Sequence, residues 1–290
     1  MYEEEFLNYL KNIRLYSKKT VASYEYDLKD YALFLEKNNL TIKDDNDKTL
    51  KLYLNYVYDK KISNKSISRH LSSLRTYYDF LKKENIVTEN IFKNVKNPKI
   101  EKNIPNFISH DKLNEIFTSF NDSDLDIRNR LVIELLYATG LRVGELVNIK
   151  IKDIDFGAQS IKVLGKGSKE RYVFYNNTTK EVLKKYLVVR KKIQKKANDY
   201  LLLNDKGTPI KEASVRKIIQ TTLMKCGIKS KITPHTFRHT FATDLLNQGL
   251  DLVNVKELLG HASLNTTSIY THITNDRIKE VYQNTHPRAK

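Results

Sequence analysis

Glycine and proline are missing from the first 97 residues: the first proline is Pro98, and all nine glycines fall between Gly140 and Gly260. A stretch that long without either breaker cannot be rich in tight hairpins, and it reads as nearly all helix. Cysteine is as scarce. Cys226 stands alone, which excludes an internal disulfide framework and any cysteine-based zinc finger and fits a reducing compartment. No run of about 18 apolar residues occurs, so no membrane-spanning helix is expected. The opening Met1-Tyr2-Glu3-Glu4-Glu5 is acidic where a secretory signal would be basic, and a cytoplasmic location is expected. Acidic residues are the other shortage. Lys and Arg number 51 against 34 Asp and Glu, a formal net charge of +17, which points to a polyanionic partner, nucleic acid ahead of an anionic membrane surface.

At 290 residues the chain is long enough for about two domains. In the first part Val21, Tyr24, Leu28, Tyr31 and Leu35 recur at steps of three and four, the rhythm of one helical face. Ile67, Leu71, Leu74, Tyr78 and Leu81 form a second such face, and Phe6 to Ile13 and Leu50 to Tyr58 suggest two further helices. The stretch from Pro98 to Pro105 reads as an interdomain linker. The expected division is therefore a helical domain over 1–97, a linker over 98–106 and a second domain over 107–290. In that second part Ile127 to Tyr137 reads as a buried helix. Ile154 to Phe174 alternates like strand, with Gly165-Lys166-Gly167-Ser168 as the tip of a hairpin. Helical periodicity returns from Thr179 to the end, broken near Gly207-Thr208-Pro209 and at Gly227.

Between Lys60 and Tyr78 lie Lys60, Lys61, Lys65, Arg69 and Arg75 with no acidic residue. Lys65, Arg69, Ser72, Ser73 and Thr76 are placed opposite the apolar stripe of their helix. Cations interleaved with short hydroxyls suit phosphates and base edges; the same composition also suits a solvated surface.

Several chemistries drop out. No glycine loop ending in Lys-Ser/Thr is present to cradle phosphates, and Gly165-Lys166-Gly167 is too short for a dinucleotide fingerprint. His235 and His239 have metalloprotease spacing, but Thr236 stands where the catalytic glutamate would be. No close cluster of carboxylates suggests a two-metal nuclease, and neither metal nor other cofactor is expected.

What is present is a scatter of cationic and imidazole groups at helix ends. Gly140 is placed to cap an apolar helix and present Arg142 at a corner, with Glu145 three residues on to pin it. In Thr233-Pro234-His235-Thr236-Phe237-Arg238-His239, Thr233 fits an N-cap and Pro234 the first helical position. His235 and Arg238 then share a face near a helix N-terminus, a place that favours an anion. His261 follows Gly260, and Tyr270 lies nine residues beyond. Arginine forks can hold the non-bridging oxygens of a phosphodiester and stabilise a pentacoordinate transition state. A tyrosine hydroxyl can attack the phosphorus and keep it as an ester, and a lysine on a hairpin can protonate the departing oxygen.

In these boxes the sequence resembles the tyrosine recombinases, most closely the Xer recombinases of bacteria and archaea. Ala138-Thr139-Gly140-Leu141-Arg142-Val143-Gly144-Glu145-Leu146 is similar to the family's first arginine box, and Gly165-Lys166-Gly167-Ser168-Lys169-Glu170-Arg171 to its lysine hairpin. His235 to Thr243 resembles the second box, and Leu258 to Ser263 with Ile269-Tyr270-Thr271-His272 completes the set. The resemblance implies catalytic roles for Arg142, Lys166, His235, Arg238, His261 and the nucleophile Tyr270. His239 and His272 are expected to pack rather than react. It implies a mainly α, two-domain fold. An all-α, SAM-like four-helix core-binding domain would precede a mixed α+β catalytic domain with a small antiparallel three-stranded sheet. Lys61, Lys65, Arg69 and Arg75 would lie toward DNA.

The activity implied is site-specific cutting and rejoining of duplex DNA through a 3′-phosphotyrosyl intermediate and a Holliday junction. A homo- or hetero-tetramer would act on a specific site, each tail from about Asp276 to Lys290 packing on a neighbour. Chromosome-dimer resolution at cell division, with a septal DNA translocase as a further partner, is the expected role. A mobile-element integrase or excisionase with the same chemistry is the alternative, disfavoured because the chain starts directly at the core-binding helices. A silent DNA-binding protein fits the intact six-residue set least.

Overall fold

The structure is a computed structural model in which residues 2–44, 46–100, 107–165, 170–259 and 282 are described. The chain divides into two compact units, Met1–Asn103 and Ile104–Lys290. That division falls inside the stretch 98–106, of which 101–106 lie outside the described residues.

The first unit holds four helices: α1 (Glu3–Asn12), α2 (Lys18–Lys37), α3 (Asp47–Asp59) and α4 (Asn64–Lys83). Each of the last three starts on a side chain that accepts from the first turn. Ser17 takes the N–H of Thr20, Asn46 those of Lys48 and Thr49, and Ser63 that of Ser66, which satisfies donors that the helix itself leaves open. The apolar stripes read from the sequence form the core. Val21, Leu28, Tyr31 and Leu35 of α2 are buried, as are Ile67, Leu71, Leu74, Tyr78 and Leu81 of α4. Each such side chain contributes about 1.5–3 kcal/mol by leaving water. The Tyr31 and Tyr78 hydroxyls meet at 2.7 Å between the two helices, so the polar ends of two buried rings satisfy each other.

The polar face of α4 departs from the expectation. Ser73 is fully buried, not turned away from the core, and its hydroxyl donates to Asp27 Oδ2 of α2 at 2.7 Å. Asp27 is itself fully buried and pairs with the Arg69 guanidinium, while His70 Nε2 lies 3.2 Å from the same carboxylate. A buried carboxylate needs such partners, and it draws part of the polar face of α4 inward.

The second unit contains α5 (His110–Thr118), α6 (Asp124–Thr139), the short α7 (Val143–Leu146), strands β1 (Ile154–Asp155), β2 (Ser160–Leu164) and β3 (Glu170–Phe174), then α8 (Asn177–Ile193), α9 (Glu212–Lys225), α10 (Pro234–Asn247) and α11 (Leu252–Leu259). Helix α6 is the hub: every residue from Leu131 to Thr139 is buried, and α8 and α10 pack on it. The sheet is antiparallel in the order β1-β2-β3, with β2 and β3 in register from Ser160↔Phe174 to Leu164↔Glu170. The strand alternation expected from Ile154 onward is broken early: β1 has two residues, and a turn ending at Gln159, at φ +52°, separates it from β2.

The helical reading past Thr179 also gives way earlier than Gly207. From Gln194 to Lys211 the chain is irregular, pinned by bridges Lys150↔Tyr200 and Leu203↔Pro209. Arg190, buried on α8, donates to the carbonyls of Asn198, Tyr200 and Leu201. One guanidinium thereby supplies the hydrogen bonds that a regular helix would have made internally. Tyr282 belongs to the expected tail, yet it is buried in its own unit with its ring 6.4 Å from that of Phe174; the rest of that tail lies outside the described residues.

Candidate active site

Arg142 owes its place to the end of α6. Gly140 caps that helix in the left-handed conformation, φ +60°, and the chain then turns sharply into α7. Arg142 stands immediately before α7 in an extended conformation. Glu145 pins it from the first turn: Oε2 accepts the Arg142 backbone N–H at 2.8 Å, and Oε1 accepts from Arg142 Nη1 at 2.9 Å. The expected role of Glu145 as the pin holds for backbone and side chain alike.

Arg171 of β3 is the third member of this cluster. Its Nη1 donates to Glu145 Oε1 at 2.7 Å and its Nη2 to Oε2 at 2.8 Å, the parallel fork that guanidinium and carboxylate favour. Burial pushes the Glu145 carboxyl toward its neutral form, but the hydrogen bonds and charge of Arg171, followed by those of Arg142, outweigh it and hold the pKa below the usual carboxylate range. Glu145 is therefore a buried anion held by two cations.

Helix α10 supplies the second arginine. Thr233 caps it, its hydroxyl accepting the Thr236 N–H, and Pro234 occupies the first turn. His235 is exposed in that turn, and Arg238 is buried one turn further on. Arg238 donates from Nη1 to the Gly140 carbonyl at 2.7 Å and from Nη2 to the Leu259 carbonyl at 2.6 Å. Two carbonyls, one at the end of α6 and one at the end of α11, thus fix its plane. Burial, reinforced by the positive charges of Arg142 and Arg171 and opposed by Glu145, pushes its pKa down to about 10. It stays charged at neutral pH. Cations crowded in a partly desolvated place form a ready receptor for a dianionic phosphorus centre.

The structure thus brings Arg142 and Arg238 together through Gly140 and keeps His235 on the helix of Arg238. Lys166, His261 and Tyr270 lie outside the described residues. His239, expected to pack, is exposed. Among the described residues no group of three or more His, Cys, Asp or Glu is disposed to hold a metal ion.

The basic residues of the first unit are dealt several roles. Lys61 sits exposed after α3 at φ +52°, and Lys65 is exposed in the first turn of α4. Arg69 is 39% exposed while paired with Asp27, so it has both an inner partner and an outer edge. Arg75 is turned to a structural task, donating to the carbonyls of Phe92 at 3.3 Å and Val95 at 3.0 Å.

Sequence reasoning assigned no role to Arg171, although it closes the hairpin box. The signal was the period of two along β3, which sets Arg171 on the face of the buried Val173. An arginine on an inward face needs an anion, and Glu145 is that anion.

Residues 106–277 match the Phage integrase family, and residues 4–85 match the N-terminal SAM-like domain of phage integrases. The chain is similar to the tyrosine recombinase XerC of Staphylococcus carnosus (strain TM300), 40% identical over 99% of this chain and 98% of that protein. It is also similar to XerC of Staphylococcus aureus (strain JH9), 44% identical over 99% and 97%. Among solved structures, the XerH site-specific recombinase bound to a palindromic difH substrate, a post-cleavage complex, superposes with a TM-score of 0.72 at 26% identity, covering 97% of this chain and 84% of that one. With both domains matched and the arginine corner in place, the chain belongs to the phage integrase family of tyrosine recombinases.

Proposed function

We propose that the chain is a site-specific DNA recombinase of the Xer type, which cuts and rejoins duplex DNA and resolves chromosome dimers before cell division in the cytoplasm. One observation carries this reading: Arg142 and Arg238 are held at one corner, by Glu145 and by the Gly140 carbonyl. Two fixed guanidinium groups suit the non-bridging oxygens of a phosphodiester, whose charge grows as a fifth oxygen adds to phosphorus.

In the proposed reaction the Tyr270 phenolic oxygen attacks the phosphorus and the bond to the 5′-oxygen breaks. The 3′-phosphate stays on tyrosine, and Lys166 protonates the departing 5′-oxygen. His235 and His261 supply imidazoles that can take the phenolic proton. One phosphodiester is exchanged for another, so the 5′-hydroxyl of a partner strand can reverse the step without an energy source. Four protomers exchange strands in two pairs through a Holliday junction, with a septal DNA translocase as a further partner. Lys61, Lys65 and the outer edge of Arg69 supply phosphate contacts from the first unit.

Tyr270→Phe tests the reading, because it removes one oxygen and leaves the phosphate-binding groups. Incubated with a nicked duplex carrying the chain's site and run on a denaturing gel, the wild type is expected to form a covalent complex. The variant should bind the same duplex and form none; covalent product from Tyr270→Phe would move the nucleophile to another residue.

A further inference from the structure

Glu145 joins Arg142, from the first catalytic box, to Arg171, a residue with no role so far. The two oxygens of Glu145 accept four hydrogen bonds, two from each arginine. Exposure separates the arginines: the side chain of Arg142 is 34% exposed, that of Arg171 14% and that of Glu145 6%. Arg142 faces outward and Arg171 sits behind.

The charges explain why two cations share one carboxylate. Glu145 with Arg142 alone would be neutral, and a guanidinium whose charge is cancelled by a buried carboxylate attracts phosphate weakly. Adding Arg171 leaves the triad with one net positive charge, on the side that faces out. Arg171 also takes both carboxylate oxygens in a parallel fork, which fixes the carboxylate plane and hence the direction from which Arg142 is held. Finally, Arg171 lies on β3 opposite Val163 of β2. Strand β3 is thereby tied to the corner that carries Arg142.

We propose that Arg171 is a positioning residue for strand cleavage: it neutralises Glu145 so that Arg142 offers its charge to the scissile phosphate, and it fastens β3 to the arginine corner. The role rests on the recombinase reading above.

The test compares rates of covalent-complex formation on two nicked duplexes built on a site that the wild-type chain traps covalently from genomic DNA. One duplex carries an ordinary scissile phosphodiester. The other carries a methylphosphonate, which lacks one negative charge and needs less neutralisation. Arg171→Met should lose about 10²-fold on the phosphodiester, the scale of one lost transition-state donor, and less than about tenfold on the methylphosphonate. Arg171→Lys, with the charge but without the fork, should fall between wild type and Arg171→Met on the phosphodiester. Glu145→Gln/Arg171→Met removes the unbalanced carboxylate as well and should regain at least about tenfold over Arg171→Met alone.

Equal losses on both duplexes, no loss at all, or a double variant no better than the single would reduce Arg171 to a packing residue. Should Arg171→Met not hold its helical circular dichroism, the comparison is made with Arg171→Lys, whose smaller loss should still be greater on the phosphodiester than on the methylphosphonate. If the wild type forms no covalent complex on any duplex, the recombinase reading fails. Wild-type cleavage with an unaffected Arg171→Met overturns the role of Arg171 alone.

Discussion

Arg238 donates to the carbonyl of Gly140 at 2.7 Å, so the residue that ends α6 holds one arginine of the corner while turning the chain toward the other, Arg142, two positions on. Glycine is required there twice over. Its φ of +60° is strained for any residue with a Cβ, at about 1–2 kcal/mol. A Cβ would also lie 2.5 Å from Phe241 Cδ1 and 2.9 Å from Cε1. Gly140→Ala should lower the melting temperature and slow cleavage together. Adding Phe241→Leu should recover part of the melting temperature by relieving the clash, while the backbone strain persists. A Gly140→Ala protein with wild-type stability and cleavage would show that this corner does not set the arginines.

Lys166 is proposed as the acid that protonates the departing 5′-oxygen. Lys166→Ala should slow cleavage by about 10²-fold or more, within the range for loss of a general acid. A substrate with sulfur in place of the 5′-bridging oxygen should restore most of the rate, since a thiolate leaves without a proton. Defects of equal size on oxygen and sulfur substrates would remove Lys166 from that role.

The long helices of the first unit and the capped corner at Gly140 were legible because each rests on a local rule: apolar spacing along α2 and α4, a glycine at a helix end, a threonine and proline at a helix start. What escaped depends on partners far away in sequence. Ser73 and Arg69 looked like surface groups because they lie opposite the apolar stripe of α4. The buried Asp27, 46 positions before Ser73, draws them in. Arg171 had no visible purpose until β3 brought it to Glu145, 26 positions back. The stretch Gln194 to Lys211 carries helix-forming residues and is not helix, because Arg190 binds its carbonyls in an irregular path. A pattern within one element cannot report a polar partner supplied by another, and these misreadings cluster on such partners.

The Asp27 pairing changes what charge removal on α4 should do. Lys65 is exposed, so Lys65→Ala should leave the melting temperature unchanged and make the slope of log affinity against log salt shallower by about 0.9, the value for one phosphate contact. Arg69→Ala removes a partner of a fully buried carboxylate and should lower the melting temperature as well as the affinity. Binding titrations over a salt series and thermal melts of each variant separate the two. An unchanged slope in Lys65→Ala would make this stretch a solvated face and move the phosphate contacts to other elements.

Asp244 of α10 gives the second unit a pH dependence whose sign follows from burial. Its carboxyl accepts from the Tyr137 hydroxyl at 2.8 Å, and His110 Nε2 lies 3.8 Å away at the exposed start of α5. Burial raises its pKa above the ordinary carboxylate value, and the Tyr137 bond and His110 offset this in part. The folded protein therefore keeps the Asp244 proton to higher pH than the unfolded chain does. Stability from this residue is present at low pH and is lost as pH rises from the unfolded pKa, about 4, through the folded one. Asp244→Asn keeps an acceptor for Tyr137 and has no proton to lose. Its melting temperature relative to wild type should therefore be higher at pH 7 than at about pH 3.5, with the difference opening across the carboxylate range. Melts of both proteins across that range measure it. A difference of the opposite sign would mean that the ionised carboxylate is the stabilised form, held by His110 more strongly than burial opposes it.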